Sequence, residues 1–501
     1  MRAVAEEVRD LVIEFGGVNS SEHGDGLVRS EFNRAVFGDA LYEAMVEVKR
    51  LFDPGNRMNP GKIVDASPMT SQLREVPSGD YATRLHFPGG MLGAADRCQN
   101  IGLCRKTASG VMCPSYMATR EEEDSTRGRA NALVKALSSA DPGSLGDERL
   151  HQILDLCLEC KACKSECPLG VDMASLKAET LAAYYDLHGI PLRSRMFGSI
   201  RALNRMGSAA APLANLLGGF GPARRLGERR LGISARRPLP RFQRENVARW
   251  WARRPGVSPS LPRSPQGELI FLADSFTSFT EPSAARAAIE LLELAGWTVR
   301  LEAAACCGRA SLSKGLVDQA RTQAGRMVAR LADAVGRGVP IVGAEPSCLL
   351  TLRDEYPALL PGDPRVAAVA EATRLPEELL AAAVAEGRLT LARGGARILF
   401  HGHCHQKAVT GTAATVALLR AVGEVTEVDA GCCGMAGSFG FEAEHYDLSM
   451  RIGELRLFPA VRAEPAGTLI AASGVSCRQQ IAHGTGRAAV HPLEIVRSAV
   501  R

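Results

Sequence analysis

At 501 residues and 53.4 kDa the chain exceeds what a single hydrophobic core organises, so two to four domains are expected. Hydrophobic residues at 46%, charged residues at 23% and aromatics at 5% describe a globular protein and exclude a disordered or membrane-embedded chain. The formal charge of +5 is spread out except for a basic region near 223–254, and no RNA or DNA module is legible, so nucleic acid is not an expected partner.

Residues 1–66 read as an incomplete unit. The run "MRAVAEEVRDLVIEFGG" predicts a helix from almost the first residue, ended by Gly16 and Gly17. Leu41, Met45, Val48 and Phe52 predict a second over 38–51, and "DPGNRMNPGK" at 53–62 is turn-rich. Two helices and two loops bury little, so this piece is expected to complete a larger body. Residues 67–95 read as a linker. Residues 96–229 read as a helical domain with two cysteine groups, in which "REEEDSTRGRANALVKAL" at 120–137 is a charged loop leading into a helix. The stretch "MGSAAAPLANLLGGFGPA" at 206–223 is too short and too rich in Gly and Pro to span a bilayer; it reads as a buried or peripheral segment, with membrane contact at most peripheral.

Residues 230–266 read as a Pro- and Arg-rich connector. Beyond it, 267–390 and 391–501 hold a diffuse repeat. "ELIFLADSF" at 268–276 and "ARILFHGHC" at 396–404 are short apolar strands; each precedes a helical run, a CCG tripeptide and a later strand, "VPIVGAEPSC" at 339–348 or "GTLIAASGVSC" at 467–477. Strands alternating with helices predict parallel α/β units, with the cysteines at the carboxyl edge of each sheet.

Fourteen cysteines exceed what a core needs. No signal-peptide h-region is visible at the N-terminus, which argues for a reducing, cytoplasmic setting and for metal or redox chemistry rather than a disulfide framework. In "CLECKACKSECP", Cys157, Cys160 and Cys163 stand at C-x2-C-x2-C spacing, followed by Cys167 and Pro168. Such a loop lets three thiolates converge on one cubane, while the fourth cysteine, ahead of proline, turns away to another cluster. By the same logic Cys113, ahead of Pro114, is the expected fourth ligand of the [4Fe–4S] cluster at 157, 160 and 163. Zinc competes in principle, but four closely packed cysteines with a proline and an upstream partner group fit it badly. The interleaved Glu159, Lys161, Lys164 and Glu166 argue against thiols that merely pack in a core.

The upstream group is less complete: Cys98, Cys104 and Cys113 give C-x5-C-x8-C-P. If Cys98 and Cys104 are the outer members of a three-cysteine loop, the middle position is Ile101, which cannot coordinate iron. A second cluster on Cys98, Cys104 and Cys167 then needs a non-cysteine ligand or is a three-iron species, so one or two clusters are expected. Of the CCG halves, the later offers Cys404, Cys432, Cys433 and Cys477 with His403 and His405, a sufficient set for a further metal or cluster; the two histidines could instead contact a substrate or quinone. The earlier half keeps Cys306, Cys307 and Cys348 but has no cysteine matching Cys404, the corresponding place falling near Asp274 or Ser275; tight packing beside glycine competes with a metal role there.

These motifs carry a resemblance over about 95–500. "CLECKACKSECP", both CCG tripeptides, "EPSC" and "HCHQK" resemble the iron–sulfur subunits of glycolate oxidase and of anaerobic glycerol-3-phosphate dehydrogenase, with CCG domains also found in heterodisulfide reductases. "RCQNIGLCRKTASGVMCPSYMATREEEDSTRGRANAL" at 97–133 resembles the fused FAD and iron–sulfur dehydrogenases of D-2-hydroxy acids such as D-lactate or D-2-hydroxyglutarate, which share the stretched first spacing. "SSEHGDGLVRS" at 20–30 and "VKRLFDPGNRMNPGKI" at 48–63 resemble the end of the C-terminal domain of FAD-linked oxidases of the vanillyl-alcohol oxidase type. That resemblance implies His23 and Asp25 on the substrate side and Asn59 on the flavin side, with Gly24 and Gly26 at the flavin; as an isolated fragment the glycines would only make tight turns.

The resemblance implies a multidomain α+β protein: a partial FAD-linked oxidase segment, a helical ferredoxin-like domain and two α/β CCG domains. It implies an iron–sulfur component that passes electrons from flavin to a quinone or soluble carrier, at most associated with the inner face of the cell membrane. The FAD-binding domain of such enzymes is not legible, so the flavin is expected on a partner polypeptide or a missing N-terminal region, and the chain alone is expected not to oxidise a hydroxy acid. A thiol/disulfide module of the heterodisulfide-reductase kind and a non-enzymatic iron–sulfur scaffold are the competing readings.

Overall fold

The structure, a computed structural model, describes residues 1–20, 22–71, 81–139, 141, 143–254 and 266–500. The part of the expected linker at 72–80 and of the expected connector at 255–265 lies outside the described residues. The chain forms two compact units, Met1–Pro77 and Ser78–Arg501.

In the first unit, helix Arg2–Glu14 ends at Phe15, followed by Gly16 at φ 64°. The second helix, Asn33–Phe52, starts before the position predicted for it, because residue 38 marks a kink and not a beginning: Gly38 sits at φ 78°, ψ 166° inside the element. Tyr42, Val46 and Val64 make a small core. Asp53 accepts hydrogen bonds from Lys49 Nζ (2.5 Å) and from the backbone N–H of Arg57 (2.9 Å) and Met58 (2.8 Å), which organises the turn-rich segment. Helix Arg2–Glu14 buries none of its side chains and leaves Val4, Val8, Leu11 and Phe15, spaced as one helical face, exposed.

The second unit begins with helices. Leu85, Phe87, Met91 and Leu92 fall in the stretch predicted as linker, yet they are buried against Leu133, Leu137 and Leu176. The reason is partly polar: the Glu179 carboxylate accepts from the backbone N–H of Arg84 and Leu85, both at 2.8 Å, and fixes this strand-like segment to helix Met173–His188. The charged segment 120–137 is a short 3-10 turn and helix Thr126–Leu137, capped by the Ser125 hydroxyl.

Two parallel three-stranded sheets follow. β1 (Gly267–Leu272) lies between β2 (Trp297–Glu302) and β3 (Ile341–Val342); β4 (Arg397–His401) lies between β5 (Glu424–Glu427) and β6 (Leu469–Ala472). Leu269 pairs with Val299 and Ile270 with Ile341, while Phe400 pairs with Glu427 and Ala471. β2 and β5 are edge strands with polar, part-exposed residues and carry no apolar run. Central β1 and β4 are apolar and buried because helices cover both their faces. One core joins the sheets: Leu269, Phe271 and Ile289 cluster with Ile398, Phe400, Leu419 and Leu493. With all strands parallel, every cysteine of the repeat lies beyond a strand's carboxyl end. No helix among the described residues is long and apolar enough to cross a membrane.

One carboxylate makes stability pH-dependent. Glu377, near the start of helix Pro376–Ala385, is buried, and that burial raises its pKa to about 7. A carboxylate whose folded pKa lies above its unfolded value costs nothing below the unfolded pKa, and the destabilisation grows as pH rises from there until it levels off above the folded value. Glu377→Gln should therefore stabilise the protein by about 2–3 kcal/mol near pH 8 and have little effect near pH 5, measured by urea unfolding at both.

Candidate metal centres

The loop that opens the second cysteine group is built on left-handed backbone. Glu159 and Lys161 have φ 51° and 63°, and Cys113, the residue before helix Pro114–Thr119, has φ 56°. Non-glycine residues rarely adopt this region, and here they turn the intervening thiols inward. Cys160 neighbours Cys157 and Cys163, and Cys113 neighbours Cys163. Burial pushes the Cys160 and Cys163 thiols up, with their neighbours adding to it. The Cys113 sulfur accepts from the Thr126 backbone N–H at 3.0 Å. No cysteine of the chain is in a disulfide. Four convergent thiols, mostly buried and served by a backbone N–H, suit a cationic iron–sulfur core far better than they suit protonated packing.

Cys98, Cys104 and Cys167 also come together, around a small cavity shared with Gln99, Thr126 and Arg127. Ile101 stands at its rim, 58% exposed, and offers no donor. The Arg127 N–H points at the Cys104 sulfur at 3.4 Å. The neighbouring Cys113 thiol pulls the Cys104 thiol down to about 6, so the two cysteine groups adjoin.

The charges interleaved with the cysteines are not a solvated face. Glu159 and Lys161 are buried, in a network that reaches into the first sheet domain. Arg309 Nη2 donates to Glu159 at 2.8 Å and Nη1 to Glu355 at 2.5 Å; Lys161 Nζ donates to Asp354 at 2.8 Å and also pairs with Glu355. Arg309 directly follows Cys306-Cys307-Gly308, so the CCG turn is ion-paired to the cysteine loop. On the other side, His405 Nε2 binds the Glu159 carbonyl at 3.0 Å, helix Ala162–Glu166 packs on helix Cys404–Val409, and Cys404 neighbours Cys160. The loop at 157–163 is thus gripped by both sheet domains.

In the second sheet domain Cys404, Cys432, Cys433 and Cys477 are neighbours, with His401 near Cys433, and the Gly434 N–H points at the Cys432 sulfur at 3.4 Å. Cys432 draws the Cys404 thiol down to about 6, and Cys432, Cys477 and His401 hold Cys433 below its usual value. Gly434 permits this turn: its φ is 91°, and a Cβ there would meet the Ser449 carbonyl oxygen at 2.3 Å. Beneath it lies an arginine that sequence reasoning missed. Arg237 is fully buried and donates to Gly440 O (2.9 Å), Gln480 Oε1 (2.6 Å) and Ser449 Oγ (3.0 Å), all neutral. A buried cation served by neutral acceptors is costly unless an anion is near. Burial lowers the Arg237 pKa to about 10, and the Tyr446 hydroxyl and the Cys433 thiol act against that fall.

The first sheet domain differs. Cys306, Cys307 and Cys348 gather, but Ser275 heads the helix after β1 as Cys404 heads the helix after β4, and the residue before it is Asp274 where the other has His403. Burial, reinforced by Glu345, raises Asp274 to about 6. Glu345 crosses to the other half, accepting from the Val475 N–H at 2.9 Å. Both thiol sets border one cavity of ≈ 710 Å³, which His403 and His405 also line; the buried His405 Nδ1 has no hydrogen-bond partner.

In the first unit, His23 is exposed and paired with Glu22 at 3.0 Å, Asp25 accepts from Asn19 Nδ2 at 3.2 Å, and Asn59 is exposed at φ 45°. Gly24 and Gly26 take φ 72° and 52° in the intervening turn. Among the described residues no hydrogen bond joins His23 or Asp25 to Asn59.

Comparison with known proteins follows this division. Residues 1–63 match the C-terminal domain of FAD linked oxidases, 94–171 a 4Fe-4S dicluster domain, and 273–353 the CCG cysteine-rich domain. The chain therefore fuses an FAD-oxidase-like segment, an iron–sulfur-binding domain and one recognised CCG domain, within a multidomain α+β architecture. It is similar to D-2-hydroxyglutarate dehydrogenase of Escherichia coli, 27% identical over 560 residues, covering 100% of this chain and 53% of that protein. It is also similar to one subunit of the anaerobic glycerol-3-phosphate dehydrogenase of Escherichia coli, 28% identical over 72% of this chain and 88% of that subunit. The glycolate oxidase iron-sulfur subunit of the same organism is 24% identical over 80% of this chain and 93% of its own length. The chain spans about half the length of the D-2-hydroxyglutarate dehydrogenases it matches. These matches make it an iron–sulfur-type chain related to D-2-hydroxyglutarate dehydrogenases and to iron–sulfur subunits of glycerol-3-phosphate dehydrogenase and glycolate oxidase.

Removing Arg309 would strand the buried Glu159 carboxylate and leave Glu355 with Lys161 alone. Arg309→Ala should cost about 3–5 kcal/mol in urea unfolding, whereas Arg149→Ala, which breaks an exposed pair with Glu123, should leave the urea midpoint nearly unchanged.

Proposed function

We propose that this chain is the electron-transfer part of a flavin-dependent D-2-hydroxy-acid dehydrogenase, acting on D-lactate, D-2-hydroxyglutarate or glycolate. In this reading the flavin is held by polypeptide outside residues 1–501, on a separate partner or a preceding segment. The electrons leave to a quinone or a soluble carrier, in the cytoplasm or at the inner face of the cell membrane. The observation that carries the reading is the loop at 157–163, which both sheet domains grip and which sets Cys160 beside Cys404.

Cys113, Cys157, Cys160 and Cys163 would hold a [4Fe–4S] cluster, and Cys98, Cys104 and Cys167 a second one completed by a non-cysteine donor. Cys404, Cys432, Cys433 and Cys477 would hold a further metal or cluster in a second CCG domain at 391–501, a reading supported by the strand order shared with the first sheet. Clusters of this kind exchange one electron at a time, whereas a flavin can accept a hydride. The protein's own groups supply position and charge: left-handed Glu159 and Lys161 aim the thiols, Arg309 and Lys161 fix the loop, and Arg237 balances negative charge at Cys433. Cys306, Cys307 and Cys348, beside the carboxyls of Asp274 and Glu345, offer a weaker set. In the first unit, His23 and Asp25 would face substrate and Asn59, Gly24 and Gly26 the flavin when flavin-bearing polypeptide packs against it. The uncovered Val4, Val8, Leu11 and Phe15 favour that completion.

A second reading, a thiol/disulfide redox module, draws on the cavity where two thiol sets face each other. The readings separate experimentally. In anaerobically reconstituted full-length protein, Cys160→Ser should lose about four irons per chain and most of the visible charge-transfer absorbance, while Cys306→Ser should keep both. Adding a flavin-bearing segment and D-2-hydroxyglutarate should then bleach the wild-type chromophore. Unchanged iron in Cys160→Ser would remove the ligand assignment, and turnover with disulfides alone would favour the second reading.

A further inference from the structure

The helices that lead from the iron–sulfur region to the first sheet carry an apolar face that the fold does not cover. Helices Ala211–Gly219 and Gly221–Leu231 meet at Phe220. Leu213, Leu216, Leu217, Phe220 and Leu226 on this pair are 51–69% exposed, and Met206 on the preceding helix is 59% exposed. Scattered exposed leucines need no explanation, but six large apolar side chains within one short stretch do.

The surroundings of this face are basic. Between residues 191 and 254 the sequence holds fifteen arginines, no lysine and two acids, Glu228 and Glu245. Glu245 pairs with Arg286 at 2.9 Å, on the side of the first sheet domain. Arg205, Arg225, Arg229, Arg230 and Arg241 are exposed, and among the described residues none has an ion-pair partner. Exposed apolar side chains on short helices that also carry exposed arginines without an acidic partner among the described residues are the pattern of an element that lies in the interface plane of an anionic bilayer.

The same helices form the entrance of the large cavity. Ala214, Gly218, Gly219 and Leu239 line it, and Gly219, Leu239 and Arg241 are also exposed, so the mouth opens beside the leucines. Its inner end reaches Cys404, Cys432 and Cys433. A protein seated on this face would close that mouth, whereas a bilayer would keep it supplied with small apolar molecules.

We propose that residues 206–241 dock the protein on an anionic lipid surface, with Leu213, Leu216, Leu217 and Phe220 entering the leaflet, so that a lipid-dissolved quinone reaches the cysteines of the second sheet domain through the cavity. The acceptor half of this proposal rests on the electron-transfer reading; the lipid contact does not. A quinone leaving as hydroquinone takes up two electrons, delivered singly from the reduced protein, and two protons from water at the mouth.

The test uses the full chain and sedimentation with vesicles of phosphatidylcholine alone or mixed with phosphatidylglycerol. The protein should pellet with the anionic vesicles and be released by salt. Leu213→Glu with Leu217→Glu, and separately Arg225→Ala with Arg229→Ala, should each weaken binding on the order of tenfold with iron content and melting temperature unchanged. Failure to pellet, or pelleting that both double variants retain, would overturn the proposal; so would protection of this face by a flavin-bearing protein in place of vesicles. In dithionite-reduced protein, a lipophilic benzoquinone carried in the vesicles should reoxidise wild type several-fold faster than the leucine variant, while a water-soluble quinone should reoxidise both alike. Equal rates with the lipophilic quinone would overturn the access route. Absence of any reducible centre would sink the electron-transfer reading while the vesicle result still stood.

Discussion

The arrangement depends on one buried ion network. Glu159 and Lys161 sit between consecutive cysteines of the 157–163 loop, and each would be prohibitively costly to bury alone. Arg309, Asp354 and Glu355 of the first sheet domain compensate them, at 2.5–2.8 Å for the two Arg309 pairs and the Lys161–Asp354 pair. The same residues that satisfy the charges fix the loop's position, so the thiols are held where the CCG turn and Cys404 can meet them. Removing the network would leave a cysteine loop free to bind metal but no longer docked between the two sheets.

The two sheet domains share a topology and diverge in charge. Both place cysteines beyond the carboxyl ends of parallel strands, the location where open α/β sheets gather ligands. The second has four thiols, His401 and the buried Arg237, and two of those thiols, Cys404 and Cys433, are drawn below their usual value. The first has three thiols, Ser275 in place of a fourth, and the buried carboxyls of Asp274 and Glu345, which oppose further negative charge. On a shared strand order, this difference in charge leaves the second sheet domain without the buried carboxyls of the first, and the first in contact with the cysteine loop through Arg309.

What the sequence disclosed follows from how local each signal is. The ligands of a C-x2-C-x2-C loop lie within seven residues, and the proline after Cys113 marks its partner, so that constellation is legible without a fold. β1, β3, β4 and β6 are apolar runs, the last three leading to Cys348, Cys404 and Cys477, and are equally legible. β2 and β5 were not, since an edge strand with alternating exposure, such as "WTVRLE", has no hydrophobic run to distinguish it. Nor was the burial of Glu159 and Lys161, because their partners lie some 150 to 200 positions later in the chain. Residues 81–95 read as a linker because their few apolar side chains lack helical period; Glu179, far along the chain, is what ties them down.

The central claim is that Cys113, Cys157, Cys160 and Cys163 enclose iron and sulfide in the folded chain. Native mass spectrometry of anaerobically purified protein tests it most directly. The account predicts a folded species heavier than the polypeptide by at least one unit of four irons and four sulfides; a folded species carrying zinc, or no metal, would contradict it.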